Sequence, residues 1–183
     1  TTPVTSYFAH SSIKKTQALL SQLREGGSLA LISEAGTPSI SDPGYALTRL
    51  AIEQDIPVVP VPGPAALIAA LSASGLPTRS FIFEGFMPRK SGRRKNLFLA
   101  LRDQPRTFIL YESPHRVMAT LEDLRSVLGE GRRIVIAREM TKLYEEFMRG
   151  TIAEVITALT GRHIKGEVTI VVSGCAPEEE PLH

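Results

Sequence analysis

Three groups of residues in this chain have the types and spacing to do chemistry. Glu34-Ala35-Gly36-Thr37-Pro38-Ser39-Ile40-Ser41-Asp42-Pro43-Gly44 is built of small residues, and Ala35 and Gly36 let a ligand approach backbone amides that bulkier side chains would shield. Arg89, Lys90, Arg93, Arg94 and Lys95 lie within seven residues without a carboxylate among them. Such a run can hold phosphates or can be a solvated loop. Glu112, Glu139 and Lys142 can move a proton, whereas His115, Arg116 and Arg138 beside them could grip phosphate. Arg138-Glu139 also reads as an internal ion pair, and His115 and Arg116 as exposed residues at a helix start.

Strand-to-helix junctions must position these groups. Leu29-Ala30-Leu31-Ile32 is a continuous apolar run that suits a strand buried on both faces of a parallel sheet. Asp42 then fits a helix N-cap with Pro43 at the first helical position, and Leu47, Leu50 and Ala51 follow at helical spacing. Val58 to Val61 reads as a second strand, leading through Pro62-Gly63-Pro64 into an apolar run from Ala65 to Leu71 that predicts a buried helix. Thr107 to Tyr111 leads through Ser113-Pro114 into a helix with Val117, Leu121, Leu124 and Leu128 on one face. In an open α/β sheet such junctions gather at the carboxyl edge of the strands and can line one cleft. Glu112, Glu139 and Lys142 fall at or just past strand ends.

Further along, strands are expected over Ser80 to Gly85, Arg133 to Ala137 and Glu167 to Ser173, with Asn96 to Leu101 as the apolar part of a helix. Thr151-Ile152-Ala153-Glu154 is a capping box opening a helix through Leu159. About six strands alternate with helices, so the fold class is α/β. Gly75-Leu76-Pro77 stops a helix and divides the chain into an N-terminal α/β domain over 1–76, a C-terminal α/β domain over 77–175 and a tail over 176–183. Before Gly75 three helices face only two strands, too few for an independent sheet, so the first domain is expected to be incomplete.

Composition narrows the class. A chain of 183 residues buries roughly 70% of its unfolded surface, enough for one large or two small domains. The net charge of +2 argues for no partner by itself. No apolar run approaches the ~20 residues of a membrane span, and no signal peptide is visible, so a cytoplasmic protein without membrane attachment is expected. A single cysteine, Cys175, excludes an internal disulfide and reads as a buried or near-terminal thiol; no metal site is expected.

Ala35-Gly36-Thr37-Pro38 with Ser41-Asp42-Pro43-Gly44, Pro60-Val61-Pro62-Gly63-Pro64, Tyr111-Glu112-Ser113-Pro114-His115-Arg116 and Ala137-Arg138-Glu139-Met140-Thr141-Lys142 together resemble the tetrapyrrole methylase superfamily, in its ribosomal-RNA branch. The resemblance runs from about Ser6 to Ser173 with the motifs in family order. It implies S-adenosylmethionine-dependent 2'-O-methylation of a cytidine ribose in the decoding region of 16S rRNA. It also implies two α/β domains with the donor in the cleft between them, and a homodimer. By position it assigns donor contacts to Ala35, Gly36, Thr37 and Ile40, to Gly63, Ala65 and Ala66, to Tyr111 and Glu112, to Ala137 and Arg138, and to Glu167 and Val168. His10 matches a family histidine.

Several residues depart from the tetrapyrrole enzymes: Thr37 stands for aspartate, Ala65 for a hydroxyl residue, Glu112 for methionine and Glu167 for proline. These swaps fit the ribosomal branch. The family's first donor loop and its C-terminal tail have no counterpart in this sequence, which matches the strand shortage and leaves open an inactive fragment keeping only part of the cleft. A methylase of a tetrapyrrole or corrinoid precursor is the other alternative. For methyl transfer, Glu112, Glu139 and Lys142 are the candidate bases that would take the ribose hydroxyl proton. With RNA as substrate, Arg89, Lys90, Arg93, Arg94 and Lys95 become the expected phosphate contacts.

Overall fold

The structure, a computed structural model, describes residues 2–8 and 11–175. The chain divides into two compact units, Thr1–Ala65 and Ala66–His183. His10 and the acidic stretch Glu178 to Glu180 lie outside the described residues.

The first unit contains α1 (Ile13–Arg24) and α2 (Tyr45–Ile52). Ser12 caps α1, its hydroxyl accepting from the Lys15 amide at 3.2 Å. The expected strands do not form here. Leu29 to Ile32 and Val58 to Val61 pair with no strand among the described residues, and Ile32 and Val59 are 77% and 80% exposed. An apolar run becomes a strand only when neighbours take up its amides and carbonyls. Asp42 is not the cap of α2 and Pro43 is not its first residue. Ser39 and Ser41 take left-handed backbone, coil the chain into turns and delay the helix until Gly44 caps it.

The second unit holds α3 (Ala66–Ser72), β1 (Phe81–Phe86), α4 (Ser91–Leu101), β2 (Thr107–Glu112), α5 (Val117–Leu128), β3 (Arg133–Arg138), β4 (Glu146–Thr151), α6 (Ile152–Leu159) and β5 (Val168–Val172). The strands form one sheet in the order β1-β2-β5-β3-β4. β1 runs parallel to β2, whereas β5 runs against both β2 and β3, and β4 against β3, so the sheet is mixed and not parallel. Phe108, Leu110, Ile134, Ile136, Ile170 and Val172 on one face meet Phe98, Val117, Leu121, Leu124, Ile152 and Val155 of the covering helices. α3 touches β2 and β5, burying Leu67, Ala70 and Leu71 but leaving Ile68 half exposed.

Three boundaries differ from the sequence expectation. α4 begins at Ser91 and so reaches ahead of the apolar part expected from Asn96, because Arg94 turns inward as Phe98 does while Arg93 stays exposed. α5 begins at Val117 after Arg116, whose amide closes a turn onto the Ser113 carbonyl at 2.9 Å, so Ser113-Pro114 is that turn and not the cap. β4 has no apolar run to betray it, since as an edge strand it is nowhere fully buried. The Thr151 capping box is present, with the Glu154 carboxylate accepting from the Thr151 amide at 2.7 Å. The helix stop at Gly75 is present as left-handed backbone, but α3 ahead of it lies with the second unit. Cys175 is exposed.

Candidate functional site

β1, β2 and β3 end at the same sheet edge at which β4 and β5 begin. Their register sets Glu112, Val168, Arg138 and Glu146 in one row, with Tyr111, Thr169, Ala137 and Phe147 in the row behind. All the expected site residues from Tyr111 to Val168 therefore meet at one place. Three of them, Glu112, Ala137 and Val168, are buried in the sheet, so what they can offer a ligand is backbone.

Glu112 is not free to act as a base. Its side chain is fully buried, and its oxygens take the Ser113 amide at 2.7 Å, the Thr120 hydroxyl at 2.6 Å and the Arg116 guanidinium at 2.6 Å. A carboxylate so enclosed fastens the start of α5 to the end of β2. Arg116 is spoken for as well, because it also donates to the Met87 carbonyl at 3.2 Å. His115 is exposed beside it.

Arg138 and Glu139 do not pair with each other. Arg138 donates to Glu146 at 3.1 Å and to the Lys165 carbonyl at 3.1 Å, and Arg162 closes on the same Glu146 at 2.8 Å. Burial would raise the Glu146 carboxyl, but Arg162 and then Arg138 outweigh it and hold the group below its ordinary value. Glu139 takes the Glu167 amide and the Lys142 ammonium, each at 3.0 Å, and Lys142 also reaches Glu167 at 3.0 Å. The Glu167 amide, followed by Lys142, pulls the Glu139 carboxyl down, while Glu167 and Glu139 push the Lys142 ammonium up. Both shifts make a poorer base at neutral pH. Glu112, Glu139 and Lys142 are thus each engaged in bonds that hold the edge together.

Tyr111 is tied down too. Its hydroxyl accepts from the Leu67 amide at 3.0 Å, and burial pushes its pKa up. In the first unit, Thr37 donates to the Pro64 carbonyl at 2.9 Å and so joins the Gly36 loop to the segment that carries Gly63 and Ala65. A side chain on Gly36 or Gly63 would meet nothing closer than 3.9 Å, so their backbone stands open to a ligand, and Ile40 is 46% exposed. Among the described residues, five non-glycine positions have left-handed backbone, and four fall in two loops: Ser39 and Ser41 after Gly36, Glu139 and Thr141 after β3. Strain concentrated in this way points to sites.

Of the basic run, Arg89, Lys90 and Arg93 are exposed. Arg94 is not a phosphate contact. It is 3% exposed and bound to Asp123 at 2.8 Å and to the Pro88 carbonyl at 3.1 Å, clamping α4 to α5, with Lys95 at 3.6 Å from the same carboxylate. Lys90 and Arg93 open α4, whose first turn has no acidic residue. Cations there oppose the helix dipole, so helix stability does not account for them. The sequence reading missed Glu146, because β4 carried no signal, and Thr120 and Asp123, which stand at helical spacing but look like surface positions.

The family model for Tetrapyrrole (Corrin/Porphyrin) Methylases matches residues 4–156. The chain belongs to this family. Among curated relatives it is 48% identical over 181 residues to ribosomal RNA small subunit methyltransferase I of Synechocystis sp. (99% of this chain, 65% of the relative). It is 46% identical over 175 residues to the protein of that name from Escherichia coli O157:H7 (94% and 61%). The chain thus spans about three-fifths to two-thirds of the length of these relatives. Solved structures share the tetrapyrrole methylase fold: uroporphyrin-III-C-methyltransferase from Thermus thermophilus aligns with TM-score 0.60 and 22% identity over 89% of this chain and 71% of its own. A complex of a Thermus thermophilus uroporphyrin-III C-methyltransferase with S-adenosyl homocysteine aligns with TM-score 0.54 and 16% identity over 86% and 71%. No described helix is long and apolar enough to cross a membrane, and no described group of three or more His, Cys, Asp or Glu residues could hold a metal ion.

Proposed function

We propose that the chain is an S-adenosylmethionine-dependent methyltransferase acting on the 2'-hydroxyl of a cytidine ribose in the decoding region of 16S rRNA, as a cytoplasmic homodimer. The observation that carries the reading is its 43–48% identity, over 90–99% of its length, to relatives named for small-subunit ribosomal RNA methylation. A tetrapyrrole precursor as acceptor is favoured by the structural neighbours, but these are far more distant.

The residues present suit such a donor. In the first unit the open backbone of Gly36 and Gly63, with Ala35, Thr37, Ile40 and Ala65, can approach a nucleoside closely, and Ala66 opens α3 of the second unit. In the second unit Tyr111, the Glu112 backbone, Ala137, Arg138, Glu167 and Val168 share the sheet edge. S-adenosylmethionine, when bound, supplies a methyl group on a sulfonium that is its own leaving group. The residues then have to fix the ribose oxygen in line with that methyl, a contribution of placement. With Glu112, Glu139 and Lys142 all engaged, the hydroxyl proton is left to solvent. Glu167, exposed and tied to the edge through Lys142, is an anionic neighbour suited to a cationic donor.

The test is methyl transfer from labelled S-adenosylmethionine to 30S subunits lacking the modification, with the Synechocystis relative assayed in parallel. The expected product is 16S rRNA whose label survives alkali in a cytidine-containing dinucleotide, because a 2'-O-methyl group blocks cleavage of the neighbouring phosphodiester. Label on a base, or on a tetrapyrrole acceptor in place of RNA, would refute the proposal.

A further inference from the structure

Phe86 is an aromatic residue in an unusual position. It ends β1, it is 60% exposed, and its ring stands edge-on to Tyr111 with centroids 5.5 Å apart. A bulge puts it there. Phe83 pairs with Ile109, but Gly85 pairs with the next residue, Leu110, so Glu84 is an extra residue in the strand, and Gly85 takes the left-handed backbone that closes the irregularity. Side chains alternate across a sheet, so without the bulge Phe83 and Phe86, three apart, would lie on opposite faces. With it, Phe86 pairs with Tyr111 on the face that carries Phe83.

The ring's surroundings are fixed. Tyr111 packs edge-on against Phe83 at 4.9 Å and is anchored by its hydrogen bond from Leu67. The chain after Phe86 is held by the Met87 amide on the Tyr111 carbonyl at 3.3 Å and by Arg116 on the Met87 carbonyl. Three residues on, the exposed cations Arg89, Lys90 and Arg93 begin, and three residues of chain put the Arg89 Cα at most ~10 Å from that of Phe86. An exposed aromatic ring followed closely in the chain by cations that make no ion pair among the described residues is a combination that can hold single-stranded nucleic acid, stacking for bases and charge for phosphates.

We propose that Phe86 is the stacking platform for an unpaired base of the RNA substrate, with Arg89, Lys90 and Arg93 holding the phosphates beside it. This rests on the RNA reading above and names the residue by which that site would hold a base.

The experiment titrates a fluorescent single-stranded oligoribonucleotide of the decoding-region sequence into the whole chain at several salt concentrations, for wild type, Phe86→Ala, Phe86→Trp and Arg93→Gln. Phe86→Ala is expected to weaken binding about ten-fold with the salt slope unchanged, since stacking releases no counterions. Phe86→Trp is expected to restore it. Arg93→Gln is expected to lower the slope by about one. Wild-type affinity in Phe86→Ala, or a loss that comes with altered sedimentation, would overturn the platform and place Phe86 in packing or a protein contact. Absence of RNA binding by the wild type would overturn the RNA reading itself, and the platform with it.

Discussion

The two units of this chain use the same kind of apolar segment and reach opposite outcomes. Val168 to Val172 and Val58 to Val61 are both valine-rich, yet the first is wholly buried between β2 and β3 and the second is extended and open. Buried apolar side chains from three strands and four helices hold the second unit, whereas Leu20 and Ala51 are the buried apolar residues described within the first. The candidate site follows this division. At the sheet edge every charged group expected to be reactive is already bonded, so the edge is rigid and presents backbone. Around Gly36 the loop is open, strained and held to its neighbour segment by one threonine hydroxyl.

Substitutions should separate the two regimes. The largest effect belongs to Arg94→Ala, which leaves Asp123 buried without its main partner and should cost about 3–5 kcal/mol, read as a fall in the denaturant midpoint. A cost near zero would mean that α4 and α5 are not clamped as described. Next comes Glu112→Gln, expected to lose about 1–3 kcal/mol by weakening three hydrogen bonds, with methyl transfer per folded molecule unchanged. A loss of turnover at full stability would return Glu112 to the chemistry.

Smaller still is the response of the loop after β3 to pH. Glu139 is depressed, so its contribution is complete above the ordinary carboxyl value of 4.5 and fades as pH falls through the lowered one. Lys142 is raised, so its share is complete below 10.5 and fades as pH climbs through the elevated value. The Glu139 carboxyl carbon, followed by NMR, should titrate late on the acid side and stay flat through neutrality; a midpoint at or above 4.5 would break the network. Smallest of all, Val59→Ala in the open segment should change stability by less than about 0.5 kcal/mol. A core-like loss there would erase the contrast between the units.

Local chemistry that closes within a few residues was legible in the sequence: the Thr151 capping box and the apolar runs of the strands over Thr107 and Arg133. What could not be read depended on partners distant in the chain. Whether Leu29 to Ile32 pairs is decided by neighbours, not by its own apolarity. Arg94 looks like its basic neighbours until α5 brings Asp123 beneath it. Glu112 resembles a free carboxylate until Thr120 and Arg116 fold back on it. Phe86 gave no signal because a bulge, not periodicity, sets its direction.

We propose that two segments, the loop from Gly36 to Ile40 and, separately, the sheet edge from Tyr111 to Val168, each offer contacts to S-adenosylmethionine. Amide NMR of the chain titrated with S-adenosylhomocysteine tests it without depending on turnover. Shifts are predicted at Gly36, Thr37, Ile40, Tyr111, Glu112, Ala137, Arg138, Glu167 and Val168. Shifts that leave those amides unmoved and gather instead on the open groove formed by Thr5 to Phe8 and Ser28 to Ser33 would contradict it.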